Sequence, residues 1–297
     1  MATPQSRRNL GAILWMLAAV AVLSLMDAAM KWLAPHYPAL QVAAMRGMAS
    51  LPVVVIWLAL RGELRQVVRV RWALQLARAA MSVLMLTCFI YAVRTLPLAD
   101  AYSIFFVSPL LITALSVPLL GERVDARRWA AIGCGLLGVL VVLRPSGAGT
   151  LTLAGVAALA AAVCYSLSAI TVRVLGRTDS TGSMMFWFTS IVGFGAGALA
   201  APRWVALRPE HWPVIAVVAV TGAFGQYAIT EAFRRGEASV VAPFEYTAIA
   251  MGITLDWRLW STRPQARMLG GATIVIAAGL YLVHRERSRP RLEAEHP

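Results

Sequence analysis

Charged residues are scarce in this sequence of 297 residues. They make up 14% of the chain, whereas hydrophobic residues make up 59%, and the mean hydropathy is +0.70. A soluble globular domain carries roughly 25% charged residues. The composition therefore excludes an ordinary soluble domain and predicts an all-α integral membrane protein, because apolar stretches of this abundance are typical of membrane-spanning helices.

Residues suited to catalysis or metal binding are also few. The three cysteines lie inside apolar runs, without metal-ligand spacing or a disulfide framework: Cys88, Cys134 and Cys164. The four histidines lie in loops or at the ends of runs: His36, His211, His284 and His296. Neither a Gly-x-Ser-x-Gly elbow nor a Walker P-loop occurs. We therefore predict no enzyme activity, no metal and no other cofactor, with a polytopic membrane enzyme as the remote alternative.

Acidic residues are outnumbered by basic ones, 14 against 27, which gives a net charge of +13. In a soluble chain this excess would suggest nucleic acid as a partner. Here the basic residues fall between apolar runs, as residues that orient membrane spans do. We expect the lipid bilayer and a small-molecule substrate as partners, and no nucleic acid.

The first apolar run lacks a small-x-small cleavage signal and ends on Asp27 and Lys31, so it is predicted to be a span and not a signal peptide.

Ten apolar runs have about the length that crosses a bilayer. Their predicted limits are Gly11–Leu33, Leu40–Leu60, Trp72–Val93, Leu98–Leu120, Arg128–Leu143, Leu151–Leu175, Gly182–Ala201, Trp212–Phe233, Ala238–Trp260 and Ala266–His284. With the N-terminus in the cytoplasm, 17 Lys and Arg residues fall on the cytoplasmic side and 8 on the other. The sequence thus predicts a multi-pass protein of the inner, cytoplasmic membrane with both termini in the cytoplasm.

The two halves of the chain resemble each other when one is shifted by about 140 residues, which indicates an internal repeat. Ala92 aligns with Ala232, Phe106 with Tyr246 and Arg123 with Arg263, without a gap. We predict a cytoplasmic tail over 1–10, a five-span repeat over 11–145, a second over 151–284 and a cytoplasmic tail over 285–297. Because five is odd, the second repeat enters the membrane from the opposite face. Inverted repeats of this kind are typical of secondary transporters with a midplane site.

Several short motifs, in order, resemble the drug/metabolite transporter superfamily and its EamA-type branch. They are Asp27-x-x-x-Lys31-Trp32-Leu33, Tyr37-Pro38, Gln41-x-x-x-x-Arg46, Ser108-Pro109-Leu110, Leu120-Gly121-Glu122-Arg123, Arg128-Trp129 and Leu143-Arg144-Pro145. The first three are similar to those of bacterial members that carry riboflavin or S-adenosylmethionine. The resemblance implies a carrier that works by alternating access without ATP. Export of a metabolite or drug and uptake of a vitamin or nucleoside-like cofactor both remain open.

The repeat departs from the family pattern at one turn. Many family members end the fourth span of each half with Gly-Glu, and this chain has Gly121-Glu122 in the first half. In the second half Thr262 holds the position of the carboxylate. If Glu122 has a gating role, we expect it to act on one side only.

Ionisable residues inside spans are costly and are functional candidates by default. Asp27 and Lys31 are spaced so that they can pair on one helix face, either as a structural pair or as part of the site. Arg46 and Arg78 lie within the second and third spans, where an arginine can bind a carboxylate or phosphate with two donors. Arg46 is the stronger candidate of the two, since Arg78 can snorkel to the cytoplasmic face. The alternative for Arg46 is a structural role as the buried partner of Asp27 or Glu245.

Glu245 is the candidate for proton coupling, because a carboxyl group shielded from water inside the ninth span can bind a proton near physiological pH. Glu231 is instead predicted to form an ion pair with Arg234 or Arg235. Asp256 is predicted to be a charge at the outer rim of the bundle. The fourth span carries an aromatic stripe of Tyr102, Phe105 and Phe106 with Pro109, which by repeat symmetry faces Glu245 and Tyr246. It is either core packing or cavity lining, and lesser candidates for the lining are Trp15, Gln226 and Tyr227.

Glycines inside the spans permit close helix packing. Gly193-x-x-x-Gly197 is a small-xxx-small match, which indicates packing within the chain more often than dimerisation. We expect a monomer or a weak homodimer.

Overall fold

The computed structural model of the chain describes residues 4–68, 70–96, 98–143, 152–261 and 266–287. The regular secondary structure in these ranges is helical throughout. Eight of the described helical stretches are long and apolar enough to cross a membrane, and Ser108–Leu120 and Met268–His284 are shorter apolar helices. Together they account for the ten predicted spans, so the fold is an all-α integral membrane protein of two five-span repeats.

The helices of the first half are α1 (Pro4–Leu33), α2 (Ala39–Leu60), α3 (Trp72–Thr95), α4 (Leu98–Phe105), α5 (Ser108–Leu120) and α6 (Ala126–Leu143). Those of the second half are α7 (Leu153–Leu175), α8 (Thr181–Ala200), α9 (Trp212–Arg235), α10 (Ala238–Val241), α11 (Thr247–Trp260) and α12 (Ala266–Arg287). Helix α1 begins before the predicted Gly11, and α12 continues past the predicted His284. The predicted tails are therefore helical where they adjoin the bundle.

The packing of the helices repeats with the sequence. The first helix of each half packs against the third helix of the other half, α1 on α9 and α7 on α3. Equivalent helices also pack on each other, α2 on α8 and α6 on α12. This pairing is what a two-fold relation between inverted halves requires. Because most of these contacts join the two halves, the described residues form a hydrophobic core that is shared between the halves.

Two of the predicted continuous spans are broken. The fourth divides at Phe106 and Val107 into α4 and α5, and the ninth divides into α10, a 3₁₀ turn over Ala242–Tyr246, and α11. The breaks occupy equivalent positions in the repeat. A proline lies close to each break: Pro109 is in the first turn of α5, and Pro243 is in the first turn of the 3₁₀ segment. Proline is favoured at the start of a helix, because it has no N–H to donate and its φ is already helical.

Glycines bring two helix pairs into backbone contact. A Cβ atom on Gly47 of α2 would lie 2.4 Å from the Cα atom of Gly193 in α8, and one on Gly271 of α12 would lie 2.6 Å from the carbonyl oxygen of Gly138 in α6. A side chain at these positions would clash with backbone. Gly193 thus packs against another helix of the same chain, which is the more common role of a small-xxx-small motif.

Both ends of the bundle carry polar contacts between the halves. At the end where α1 begins and α12 ends, here named the termini end, Glu122 accepts hydrogen bonds from the backbone N–H groups of Ala238 (2.8 Å) and Ser239 (3.0 Å) and from the Ser239 hydroxyl (2.6 Å). Arg128 donates there to Glu237 (3.2 Å) and Ser239 (3.0 Å). At the other end, here named the Lys31 end, Lys31 Nζ donates to Asp256 at 2.6 Å.

Candidate functional site

A cavity of about 410 Å³ lies between the two halves. Its wall is formed by α1, α2, α3, α7, α8 and α9 and by the two span breaks, which contribute Phe105, Phe106 and Glu245. Four of the predicted charged residues line it together: Asp27, Arg46, Arg78 and Glu245. Gln226 also lines it and donates to Thr230. The volume falls in the range of small-molecule sites, roughly 300–1,000 Å³.

Arg78 is buried, with 3% of its surface exposed. Its guanidinium carbon lies 4.4 Å from the centre of the Phe188 ring, and its Nη1 donates to the carbonyl oxygen of Met184 at 3.3 Å. Its Nε is buried and has no hydrogen-bond partner among the described residues. Of the two possibilities that the sequence leaves open for Arg78, the structure favours the cavity wall over snorkelling to the cytoplasmic face, because the packing of α3 against α7 and α8 points the side chain into the bundle.

Glu245 lies in the 3₁₀ turn that interrupts the ninth span. Its Oε1 accepts a hydrogen bond of 2.8 Å from the hydroxyl of Tyr165 on α7. Tyr165 is close enough to Arg46 and Arg78 to interact with both electrostatically. One tyrosine thus lies among the acid and the two cations of the cavity.

Asp27 and Arg46 face each other from α1 and α2. They are close enough to interact electrostatically, yet within the described ranges no hydrogen bond or salt bridge of either side chain is found. Asp27 is exposed and Arg46 half-buried. Both charged groups therefore keep hydrogen-bonding capacity that a solute in the cavity can use.

Five of the predicted site residues lie outside the cavity lining. Lys31 is at the exposed rim, where its partner at 2.6 Å is Asp256 on α11; the predicted pair with Asp27 is replaced by one between the two halves. Tyr246 is buried behind the cavity, with its ring against Gly135 of α6, because the 3₁₀ turn directs successive side chains away from each other. Tyr102 is exposed, and its ring contacts Phe89 and Phe106, so it continues the aromatic stripe of α4 without lining the cavity.

Trp15 and Tyr227 complete the set that lies outside. Their rings pack edge to face with centres 5.4 Å apart, and Arg235 lies over Trp15 at 5.7 Å. This is an aromatic cluster beside the cavity and not part of its lining. Glu231, predicted to be an ion-pair partner, binds both Arg234 and Arg235.

Sequence reasoning missed several polar residues of the cavity. Tyr165 and Ser168 lie on α7, and the Ser168 hydroxyl is 3.3 Å from that of Ser82 on α3. The signal was present, because Tyr165-Ser166-Leu167-Ser168 interrupts a run that is otherwise apolar. Phe188 and Thr189 on α8 also line the cavity, but nothing in their sequence separates them from packing residues.

The cavity is closed at the termini end. Met16 and Phe233 line it there with 0% and 2% of their surface exposed, and they belong to the main hydrophobic cluster together with Val240 and Phe244. Toward the Lys31 end the exposed Asp27 lies in the wall, eleven residues along α1 from Met16, a rise of about 16 Å. As far as the described residues show, the cavity is thus closed at the termini end and accessible toward the Lys31 end.

Comparison with known proteins agrees with this architecture. The chain is 26% identical over 260 residues to the pseudopaline exporter of Pseudomonas aeruginosa strain UCBPP-PA14, covering 87% of this chain and 91% of that protein. It is 24% identical to a riboflavin transporter of Vibrio cholerae, covering 94% and 95%, and 22% identical to an S-adenosylmethionine uptake transporter of Rickettsia prowazekii, covering 94% of each.

A solved crystal structure has the same fold, with a TM-score of 0.83 at 19% identity over 94% of this chain and 99% of the other. The model of the EamA-like transporter family matches twice, over residues 10–144 and 152–284. The two matches correspond to the two halves described above and together cover most of the sequence. The chain therefore belongs to the EamA-like transporter family.

Proposed function

We propose that this transporter is a secondary-active carrier that moves a small polar metabolite across the cytoplasmic membrane by alternating access. The substrate site is the cavity between the repeats, and the repeats over residues 11–145 and 151–284 are the moving halves. The observation that carries this proposal is that both broken spans meet at a cavity closed at one end. Substrate sites of transporters built from inverted repeats lie at such discontinuous helices near the midplane.

The relatives suggest which solutes to try first. Their names include uptake of S-adenosylmethionine, transport of riboflavin and export of pseudopaline. Uptake of a vitamin or nucleoside-like cofactor is therefore the second candidate function beside export of a metabolite. A carrier has no fixed direction of its own, because the gradients of solute and coupling ion determine the net flow.

The membrane orientation is part of the proposal. Basic residues favour the side of the termini by 17 to 8, and the positive-inside rule assigns that side to the cytoplasm. On this assignment the termini end of the bundle is cytoplasmic. The cavity is then accessible from the outer side of the inner membrane.

Glu245 is proposed as the proton-coupling residue. Its carboxyl lines the cavity and, within the part of the chain that the structure describes, accepts one hydrogen bond, from Tyr165. Arg46 and Arg78 approach from α2 and α3, and Asp27 is in the same wall on α1. A carboxyl group that is reached from alternate sides of the membrane can bind a proton on one side and release it on the other.

Counterflow in proteoliposomes tests the proposal. Vesicles preloaded with S-adenosylmethionine, riboflavin, succinate or phenylalanine receive the labelled form of the same compound outside, without ATP. We expect saturable exchange of at least one compound and net uptake that follows an imposed pH gradient. In Glu245→Gln the exchange is expected to persist while the response to the gradient is lost.

The matched control is Glu210→Gln, which removes an exposed carboxylate in the loop before α9. This variant is expected to behave as the wild type. Net transport by Glu245→Gln that still follows the pH gradient would contradict the proton-coupling role. Absence of exchange for every compound tested would contradict the carrier function.

A further inference from the structure

Arg78 combines two properties that are rarely found together. It is an arginine with 3% of its surface exposed, and the described residues provide no carboxylate within salt-bridge distance of it. The acidic residue near its end of α3 is Asp179, which is already bound by Gln75 at 3.1 Å and by the backbone N–H of Arg71 at 3.3 Å. A buried charge without a partner is strongly destabilising unless something compensates it.

The contacts that Arg78 does make leave most of its donors unused. One Nη1 hydrogen bond to Met184 and the face of Phe188 hold the guanidinium in place, and Nε has no partner. A guanidinium has five N–H donors in a planar fork that matches a carboxylate. Because Arg78 lines the cavity, a solute there can reach these donors.

The charges that line the cavity also favour a ligand with a carboxylate. Among the described residues, its lining contains two cations, Arg46 and Arg78, and two acids, Asp27 and Glu245. When Glu245 carries a proton, the lining has one positive charge in excess; when Glu245 is ionised, the lining is neutral. An anionic solute therefore binds more favourably when Glu245 is protonated, and by reciprocity its binding favours that proton.

We propose that the substrate bears a carboxylate that binds to Arg78, with Arg46 as the second cation, and that it binds together with a proton on Glu245. This inference rests on the proposed function of the cavity as the substrate site. The body of the solute lies against the methionine and phenylalanine side chains of the wall, which include Met26, Met85 and Phe106. The site thus selects a small organic acid or amino-acid-like zwitterion over a neutral vitamin.

Matched pairs of compounds test the role of the carboxylate. Binding to purified protein is measured by ligand-induced thermal shift with phenylalanine against phenylalaninamide, 3-phenylpropionate against 3-phenylpropionamide, S-adenosylmethionine, succinate and riboflavin. We expect at least one carboxylate to stabilise the protein and its amide or the neutral riboflavin not to do so. Arg78→Gln is expected to lower the affinity for that carboxylate about 10- to 100-fold, because a hydrogen bond to a charged group is lost.

Two further variants guard against a trivial loss of folding. Arg78→Lys keeps the charge and is expected to retain part of the affinity, whereas Arg258→Gln removes an exposed arginine that lies over Trp257 at 6.0 Å and is expected to change nothing. Affinity of the wild type for the carboxylate is expected to fall as the pH rises. In Glu245→Gln, which mimics the protonated acid, this pH dependence is expected to be absent.

The outcomes separate the inference from the carrier function. If amides bind as well as carboxylates, if no carboxylate shows a shift that depends on Arg78, or if affinity in the wild type is independent of pH, the inference is overturned. Counterflow of a neutral probe would leave the carrier function intact in that case. Binding that depends on Arg78 but is accompanied by no counterflow would support the carboxylate site and overturn the carrier.

Discussion

In each repeat, the broken span ends at one residue whose backbone is in the left-handed region. Gly121 follows α5 with φ of 71°, and Ser261 follows α11 with φ of 52°. The two positions are equivalent in the repeat, so the second half makes the same turn with a residue that has a Cβ atom. Glycine populates this region freely, whereas other L-residues pay roughly 1–2 kcal/mol.

Ser261→Gly is therefore expected to stabilise the protein by about 0.5–1 kcal/mol, since the relief of strain is partly offset by the greater entropy of glycine in the unfolded chain. The reciprocal change, Gly121→Ser, is expected to destabilise it by about 1 kcal/mol. Thermal unfolding of the purified variants in detergent checks both. A lower unfolding midpoint for Ser261→Gly would show that the serine makes a compensating contact.

The charged residues of the cavity were largely predictable from sequence. An ionisable group within an apolar run stands out, and Asp27, Arg46 and Glu245 were found in this way. Their partners were not predictable, because the direction of a side chain depends on how its helix is rotated. The sequence thus left open whether Arg78 lines the cavity or snorkels, and Tyr165, which donates to Glu245, was missed.

At the scale of the elements, the limits of the spans were predicted within a few residues in most cases. The breaks in the fourth and ninth spans were not. Proline at 109 and 243 is compatible with a continuous membrane helix as well as with a break, so its presence does not decide between them. The break is determined by the packing of the two halves, which brings both segments to the same cavity.

Close contact between α2 and α8 is predicted to be sensitive to a single methyl group. A Cβ atom on Gly193 would lie 2.8 Å from the backbone nitrogen of Met48 and 2.9 Å from the carbonyl carbon of Gly47. Since backbone atoms cannot move without displacing a helix, Gly193→Ala is expected to cost about 1–3 kcal/mol. The unfolding midpoint in detergent measures the loss.

The matched control is Gly133→Ala in α6, where an added Cβ atom would meet no heavy atom within 4 Å. Alanine is a better helix former than glycine, so this variant is expected to gain about 0.5–1 kcal/mol. Equal effects of the two substitutions would mean that α2 and α8 are not in contact as described.

At the scale of the whole molecule, the scaffold is nearly symmetric and its charges are not. The helix pairs α1 with α9 and α7 with α3 are equivalent, yet Arg46 and Arg78 belong to the first half and Glu245 to the second. The sequence comparison predicted the repeat, because blocks of apolar residues survive divergence. The sequence itself is asymmetric at the position equivalent to Glu122, which is held by Thr262; Thr262 lies outside the described residues.

The termini end is predicted to be held closed by Glu122, whereas the exposed pair of Lys31 and Asp256 contributes little at the open Lys31 end. Glu122 accepts three hydrogen bonds from Ala238 and Ser239, and a glutamine in its place can accept only at its single oxygen. Glu122→Gln is therefore expected to shift the carrier toward opening at the termini end by roughly tenfold or more, since hydrogen bonds to charged groups are worth about 1.5–3 kcal/mol.

The measurement is labelling of Val172→Cys by a membrane-impermeant maleimide from the side of the termini, with the three native cysteines replaced by alanine. Val172 lines the cavity and is 3% exposed, so the wild-type background should label slowly and Glu122→Gln faster. Asp256→Asn is the control, because the exposed pair with Lys31 is worth at most about 1 kcal/mol. If Val172→Cys is labelled no faster in Glu122→Gln than in Asp256→Asn, Glu122 does not hold the termini end closed.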